Sequence, residues 1–114
     1  PGLDLAKTPA QSVELIRRLP ELRALSRPLL LAISRKDFVG ALTERPPRER
    51  LAGTLAALGV AVDRGAAILR VHDVAAARDY LVVRAALQGE SHVPTDLRLD
   101  ASLRRERGEP PSPR

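Results

Sequence analysis

PLLLAISRKDFVGAL, Pro28 to Leu42, sets the architecture of this chain. Five consecutive apolar residues, Leu29 to Ile33, follow a proline and stop abruptly at Ser34-Arg35-Lys36-Asp37. Such a run reads as a strand buried on both faces, as in a parallel sheet. The polar cluster falls where the strand ends, the position at which α/β proteins carry their chemistry. A second unit repeats the form: Ala67 to Val71 leads into His72-Asp73 and another amphipathic pattern, with Arg70 and His72 near the strand end. The two strand ends are expected to face one ligand.

Working outward, Thr8-Pro9-Ala10-Gln11 is a capping box with proline at the first helical position. Val13, Leu15, Ile16, Leu19, Leu22 and Leu25 give an apolar face, interrupted by Pro20, so a kink or restart is expected near Leu19. Ser26-Arg27-Pro28 breaks the helix. After the first strand, Asp37 to Leu42 predicts a short helical turn and Thr43 to Pro47 a loop. Arg48 to Arg64 predicts a helix with Leu51, Leu55, Leu58 and Val62 on one face. Its small residues, Ala52, Gly53, Ala56, Ala57 and Gly59, allow close approach to a sheet, and Gly65 is a left-handed stop. Asp73 can cap a last helix with the apolar set Val74, Ala77, Leu81 and Ala85, ended by Gly89.

Residues 1–88 therefore read as one α/β unit ordered helix, strand, helix, strand, helix. From 89 to 114, prolines and scattered arginines with few bulky apolar residues predict a largely disordered tail, with one weak helical turn near Leu99 to Arg105. Two parallel strands leave edges unpaired and faces uncovered. A truncated chain, with further strands supplied before Pro1, is the expectation.

Composition narrows the function. The chain of 114 residues has 44% hydrophobic residues but only 2% aromatic, so Leu, Val, Ile and Ala must build the core. It contains no cysteine, which removes disulfides and thiolate metal sites and suits a cytoplasmic setting. No apolar run approaches the roughly 20 residues of a membrane span. The net charge of +5 raises nucleic acid as a partner. Against it, the arginines are spread over every helix, are accompanied by acids, and lack interleaved aromatic residues for base stacking. Neither nucleic acid nor membrane is expected as a partner.

Of the 19 basic residues, two are lysine, Lys7 and Lys36, and the other 17 are arginine. A lysine retained at a strand end suggests a need for a compact ammonium rather than a planar fork. Lys36 is thus a candidate ligand for a carbonyl or ring nitrogen. Ser34 reads either as a helix cap or as a polar contact to an anion. Asp37 reads first as a helix-start residue complementing the dipole. Arg70 and His72 alternate along a strand and so point to the same side. An arginine late in an apolar strand needs a partner, either an anionic ligand or a carboxylate. There is no GxGxxG, Walker loop, metal-spaced histidine pair or nucleophile with its base, so no catalytic residue and no metal ligand is assigned.

The runs SRKDFVGAL, PPRERLAGTLAA and ILRVHDV, with the opening PGLDLAKTP, resemble the carboxyl-terminal part of bacterial dihydropteroate synthases over Pro1 to about Leu87. The resemblance implies the last two strands and last three helices of a (β/α)8 barrel. It implies condensation of 6-hydroxymethyl-7,8-dihydropterin diphosphate with p-aminobenzoate in folate synthesis, with magnesium on the diphosphate and a homodimeric enzyme. Lys36 would contact the pterin ring, and Arg70 would pack against the pterin and, with His72, border the diphosphate site. Asp4 and Leu5 stand where that family has glycine and phenylalanine, and Asp37 stands where serine is frequent near the p-aminobenzoate carboxylate. Two alternatives share the barrel: a divergent non-catalytic paralogue, and the pterin-binding domain of a methyltransferase.

Overall fold

The computed structural model describes Leu3 and residues 7–104, without the side chain of Arg23. Asp4 and Leu5, and the tail beyond Arg104, lie outside the described residues. Helix α1 spans Pro9–Arg17 and opens with the reciprocal Thr8/Gln11 capping box. Pro20 lacks an N–H and cannot continue the helix. The chain restarts as a 3₁₀ segment, Leu19–Leu25, whose first residue is fully buried.

Strand β1, Leu29–Ala32, and strand β2, Ala66–Arg70, form a two-stranded parallel sheet. Between them run α2, Asp37–Thr43, a 3₁₀ turn at Pro47–Glu49, and α3, Leu51–Asp63. Helix α4, Val74–Leu87, follows β2. The register pairs Leu30 with Ile68, Leu31 with Leu69 and Ala32 with Arg70. Strand alternation then sorts the side chains by face. Leu29, Leu31 and Ile33 are buried, and Leu69 and Val71 pack against the same core with Ile16, Phe38, Val39, Leu58, Ala61 and Ala77.

The other face corrects the expectation of a strand buried on both sides. Leu30 is 49% and Ile68 51% exposed, because the helices cover one face and nothing among the described residues covers the second. Helix α3 also begins later than periodicity predicts. Arg50 leaves helical geometry (φ −98°, ψ 14°), and Pro47–Glu49 forms a separate 3₁₀ turn. Its buried face holds Thr54, Leu58, Gly59 and Ala61, whereas Leu51 is 38% exposed. The small residues Gly53 and Gly59 fit against helices rather than the sheet, since a Cβ there would overlap Val39 of α2 and the Tyr80 hydroxyl of α4.

Gly65 takes the expected positive φ, 103°. Asp73 precedes α4 but makes no side-chain cap, and Val74 is exposed rather than part of the apolar face. The last helix is fastened instead by Arg84, which donates to the Gly59 carbonyl at 3.0 Å and pairs with the Asp63 carboxylate. After Gly89, the described residues form a turn closed by the Leu97 amide on the Pro94 carbonyl and a 3₁₀ turn at Ala101–Leu103.

Two measurements check this packing. Gly59→Ala is expected to destabilise the protein by about 1–3 kcal/mol in urea unfolding through overpacking, with Tyr80→Phe restoring part of it. An unchanged midpoint would contradict the close α3–α4 contact. The hydrogen bond from Arg84 holds the Asp63 carboxyl below its ordinary value of 3.8. A depressed carboxyl contributes stability above that ordinary value and loses it as pH falls through the lowered one. Asp63→Asn should therefore flatten the acid limb of the stability profile, and an identical acid limb would refute the assignment.

Candidate functional site

The strand ladder ends at the Ala32–Arg70 pair, and side-chain contacts two residues beyond it build the site. Ser34 comes to lie beside His72: the His72 amide donates to Ser34 Oγ at 3.1 Å, and His72 Nδ1 lies 2.8 Å from the same oxygen. Ser34 is only 7% exposed. Ser34 thus joins the strand ends and does not cap α2, which removes the helix-cap reading. The N-cap of α2 is Lys36, which makes no side-chain cap bond.

Ser34, Lys36, Arg70 and His72 line one pocket of about 370 Å³, floored by Ala32 and Val71. It opens on the face of the sheet that the helices leave bare. No acidic side chain lines it. The side chains of Arg70 and Lys36 have no hydrogen-bond or ion-pair partner among the described residues. The arginine–carboxylate pair that forms nearby is Arg35 with Asp73, at 3.3 Å. A larger groove of about 440 Å³ between α1, α2 and α3 is apolar and contains none of the strand-end residues.

Asp37 stands apart from this pocket. It begins α2, its side chain is 84% exposed, and Arg50 Nη1 reaches its carboxylate at 3.0 Å. Arg50 is the organising residue that sequence reasoning missed. Its side chain is 11% exposed and also donates to the Arg35 carbonyl at 2.9 Å and the Arg45 carbonyl at 2.8 Å. The planar fork of a guanidinium can serve several acceptors at once. Arg35 needs that support: its φ is 57°, a left-handed conformation costing on the order of 1–2 kcal/mol for a non-glycine residue. Thr54 of α3 adds a bond to the Arg35 amide at 3.1 Å. The signal available for Thr54 was a lone polar residue in an otherwise apolar helix. For Arg50 there was none beyond an arginine after two prolines.

No group of three or more His, Asp or Glu side chains among the described residues could hold a metal. The pocket's charged groups are cationic, so these residues do not fit a magnesium ion.

A family model for pterin binding enzymes matches residues 1–72. The chain belongs to the pterin binding enzyme family. Within it, the chain is 47% identical over 88 residues to the dihydropteroate synthase of Synechocystis sp., covering 76% of this chain and 30% of that protein. It is 40% identical over 89 residues to a Mycobacterium bovis protein named inactive dihydropteroate synthase 2, covering 78% and 28% respectively. The fold superposes on the Xanthomonas albilineans dihydropteroate synthase, solved with 7,8-dihydropteroate, at a TM-score of 0.75 and 46% identity, covering 82% of this chain and 35% of that one. The chain thus spans less than a third of the length of these two curated relatives. The matched segment takes in both strands and ends at His72, so the pocket lies within the family region.

Arg50→Ala should lower stability by on the order of 2–3 kcal/mol, the scale of hydrogen bonds from a charged group. Arg50→Lys should recover only part, since one ammonium cannot replace the fork. Urea midpoints equal to wild type for both variants would remove Arg50 from this role.

Proposed function

We propose that this chain forms the closing strand–helix units of a dihydropteroate synthase barrel and carries the part of its site that receives 6-hydroxymethyl-7,8-dihydropterin diphosphate. The observation that carries this reading is the pocket at the ends of β1 and β2, lined by Lys36, Arg70 and His72 without an acid. Two unneutralised cations and a ring nitrogen suit a ligand rich in acceptor oxygens. The bare face of the sheet, with Leu30 and Ile68 half exposed, suits the interior of a barrel completed by further strands.

In the proposed reaction the amine of p-aminobenzoate attacks the pterin methylene. A C–N bond forms as the C–O bond to diphosphate breaks, and the nitrogen then gives up one proton to solvent. The leaving group gains negative charge in the transition state, and fixed donors aimed at it supply the main stabilisation. Arg70 and His72 take that role, while Lys36 orients the pterin ring as a single point donor. Magnesium, which the resemblance implies on the diphosphate, would find its ligands outside the described residues. The same resemblance supports a homodimer in the cytoplasm, and no helix among the described residues is long and apolar enough to cross a membrane.

A second reading is a non-catalytic paralogue that keeps the pterin pocket. Asp37 favours it, because a carboxylate near an incoming p-aminobenzoate carboxylate is repulsive, and one similar protein is named inactive. The pairing of Asp37 with Arg50, turned away from the pocket, weighs against it.

Diphosphate release by the whole protein, with pterin diphosphate and p-aminobenzoate supplied, separates the two. Arg70→Ala is expected to weaken pterin diphosphate binding roughly 10- to 100-fold, and Lys36→Ala to reduce kcat/KM at least roughly 10-fold. Pterin diphosphate binding without turnover would favour the paralogue. Unchanged affinity in Arg70→Ala would sink the anion-site reading.

A further inference from the structure

We propose that Ser34 is a positioning residue that holds neutral His72 with its proton on Nε2, so that the imidazole presents a donor to the pocket. The inference deepens the anion-site reading and rests on it for the ligand class. It follows from an accounting of one hydroxyl.

A serine hydroxyl has one proton and two lone pairs. At Ser34, the His72 amide uses one lone pair at 3.1 Å. The only other partner of Ser34 Oγ among the described residues is His72 Nδ1, at 2.8 Å. If Nδ1 carried the proton and donated it to Oγ, the hydroxyl proton would be left without an acceptor among the described residues, in a residue only 7% exposed. An orphaned buried donor is costly. The arrangement that satisfies every atom has Ser34 O–H donating to Nδ1. The proton of the neutral ring then sits on Nε2.

The amide contact and the ring contact come from the same residue, so one oxygen fixes both the backbone position and the ring plane of His72. Nε2 is the nitrogen left for a ligand, and in this tautomer it can only donate. Lys36 Nζ and the Arg70 guanidinium can also only donate. The ligand-facing groups therefore form an all-donor set that selects oxygens with lone pairs alone, as in a diphosphate, over hydroxyl or amide groups that need an acceptor. His72 is then a hydrogen-bond donor to the anion and does not act as a general base through Nε2.

The test is nitrogen-15 NMR of the histidine side chains in the whole protein, at a pH where the rings are neutral. His92, exposed in the carboxyl-terminal segment, serves as the internal comparison. For His72 the expected result is a protonated Nε2 and an unprotonated Nδ1, with less tautomer averaging than His92. Ser34→Ala should move the His72 shifts toward those of His92 and weaken binding of inorganic diphosphate roughly 3- to 10-fold, the scale of one hydrogen bond. A wild-type ring protonated on Nδ1 would overturn the proposal, as would Ser34→Ala shifts equal to wild type. Should Ser34→Ala fail to fold, the wild-type spectrum decides alone. The two readings fail separately. An Nε2-protonated His72 in a protein that does not bind inorganic diphosphate would remove the anion site and leave the tautomer assignment standing.

Discussion

Everything at the site depends on the parallel pairing of two short strands. The register that sets Ala32 against Arg70 carries Ser34 to His72 two residues later. Lys36 and Arg70 come from segments separated by two helices, and only this pairing puts them around one pocket. A slip of one residue would turn Arg70 into the helix-packed face and Leu69 into the pocket. The buried alternation of Leu29, Leu31 and Ile33 makes that slip expensive, so the apolar core enforces the geometry of a polar site.

A second layer of contacts keeps the connecting loop in place. Arg35 sits in a left-handed conformation, its amide bonded to Thr54, its carbonyl to Arg50 and its guanidinium to Asp73. The loop is thus tied to α3, to the start of α4 and to the turn before α3. The Arg35–Asp73 pair is about one-third exposed on each side and contributes little energy by itself. Its value is geometric, because it spans the ends of β1 and β2 beside the pocket. The bonds from Arg50 to two backbone carbonyls are the stronger restraint, being charge-assisted, and the one to Arg35 is partly buried.

Much of this was legible in the sequence, and the reasons differ by element. The capping box at Thr8, the break at Pro20, both strands and the left-handed Gly65 are local signals, and local signals were enough. The two-strand-end cluster was legible because each apolar run stops abruptly at polar and charged residues, which marks a strand end. What periodicity could not supply was rotation about a helix axis. The leucine stripe of α3 holds at Leu58, with Leu55 and Val62 packed at the edge of the core, but Leu51 is exposed and Thr54, Gly59 and Ala61 share the buried face, where Val39 and Tyr80 approach the glycines. Nor could it supply partners. Asp73 looked like a cap and pairs with Arg35 instead, while Asp37 looked like a helix-start residue and also answers Arg50. Side-chain pairings between distant segments depend on the assembled fold, and no spacing rule encodes them.

The missing cap on α4 has a dynamic consequence. Asp73 is committed to Arg35, and the first turn, Val74, Ala75 and Ala76, has no acidic residue to complement its exposed N–H groups. The end of α4 nearest the pocket is therefore the end least secured by its own residues. Its far end is anchored by Arg84 to α3. Opening of α4 should begin at the pocket and run outward, while the strand register underneath stays closed.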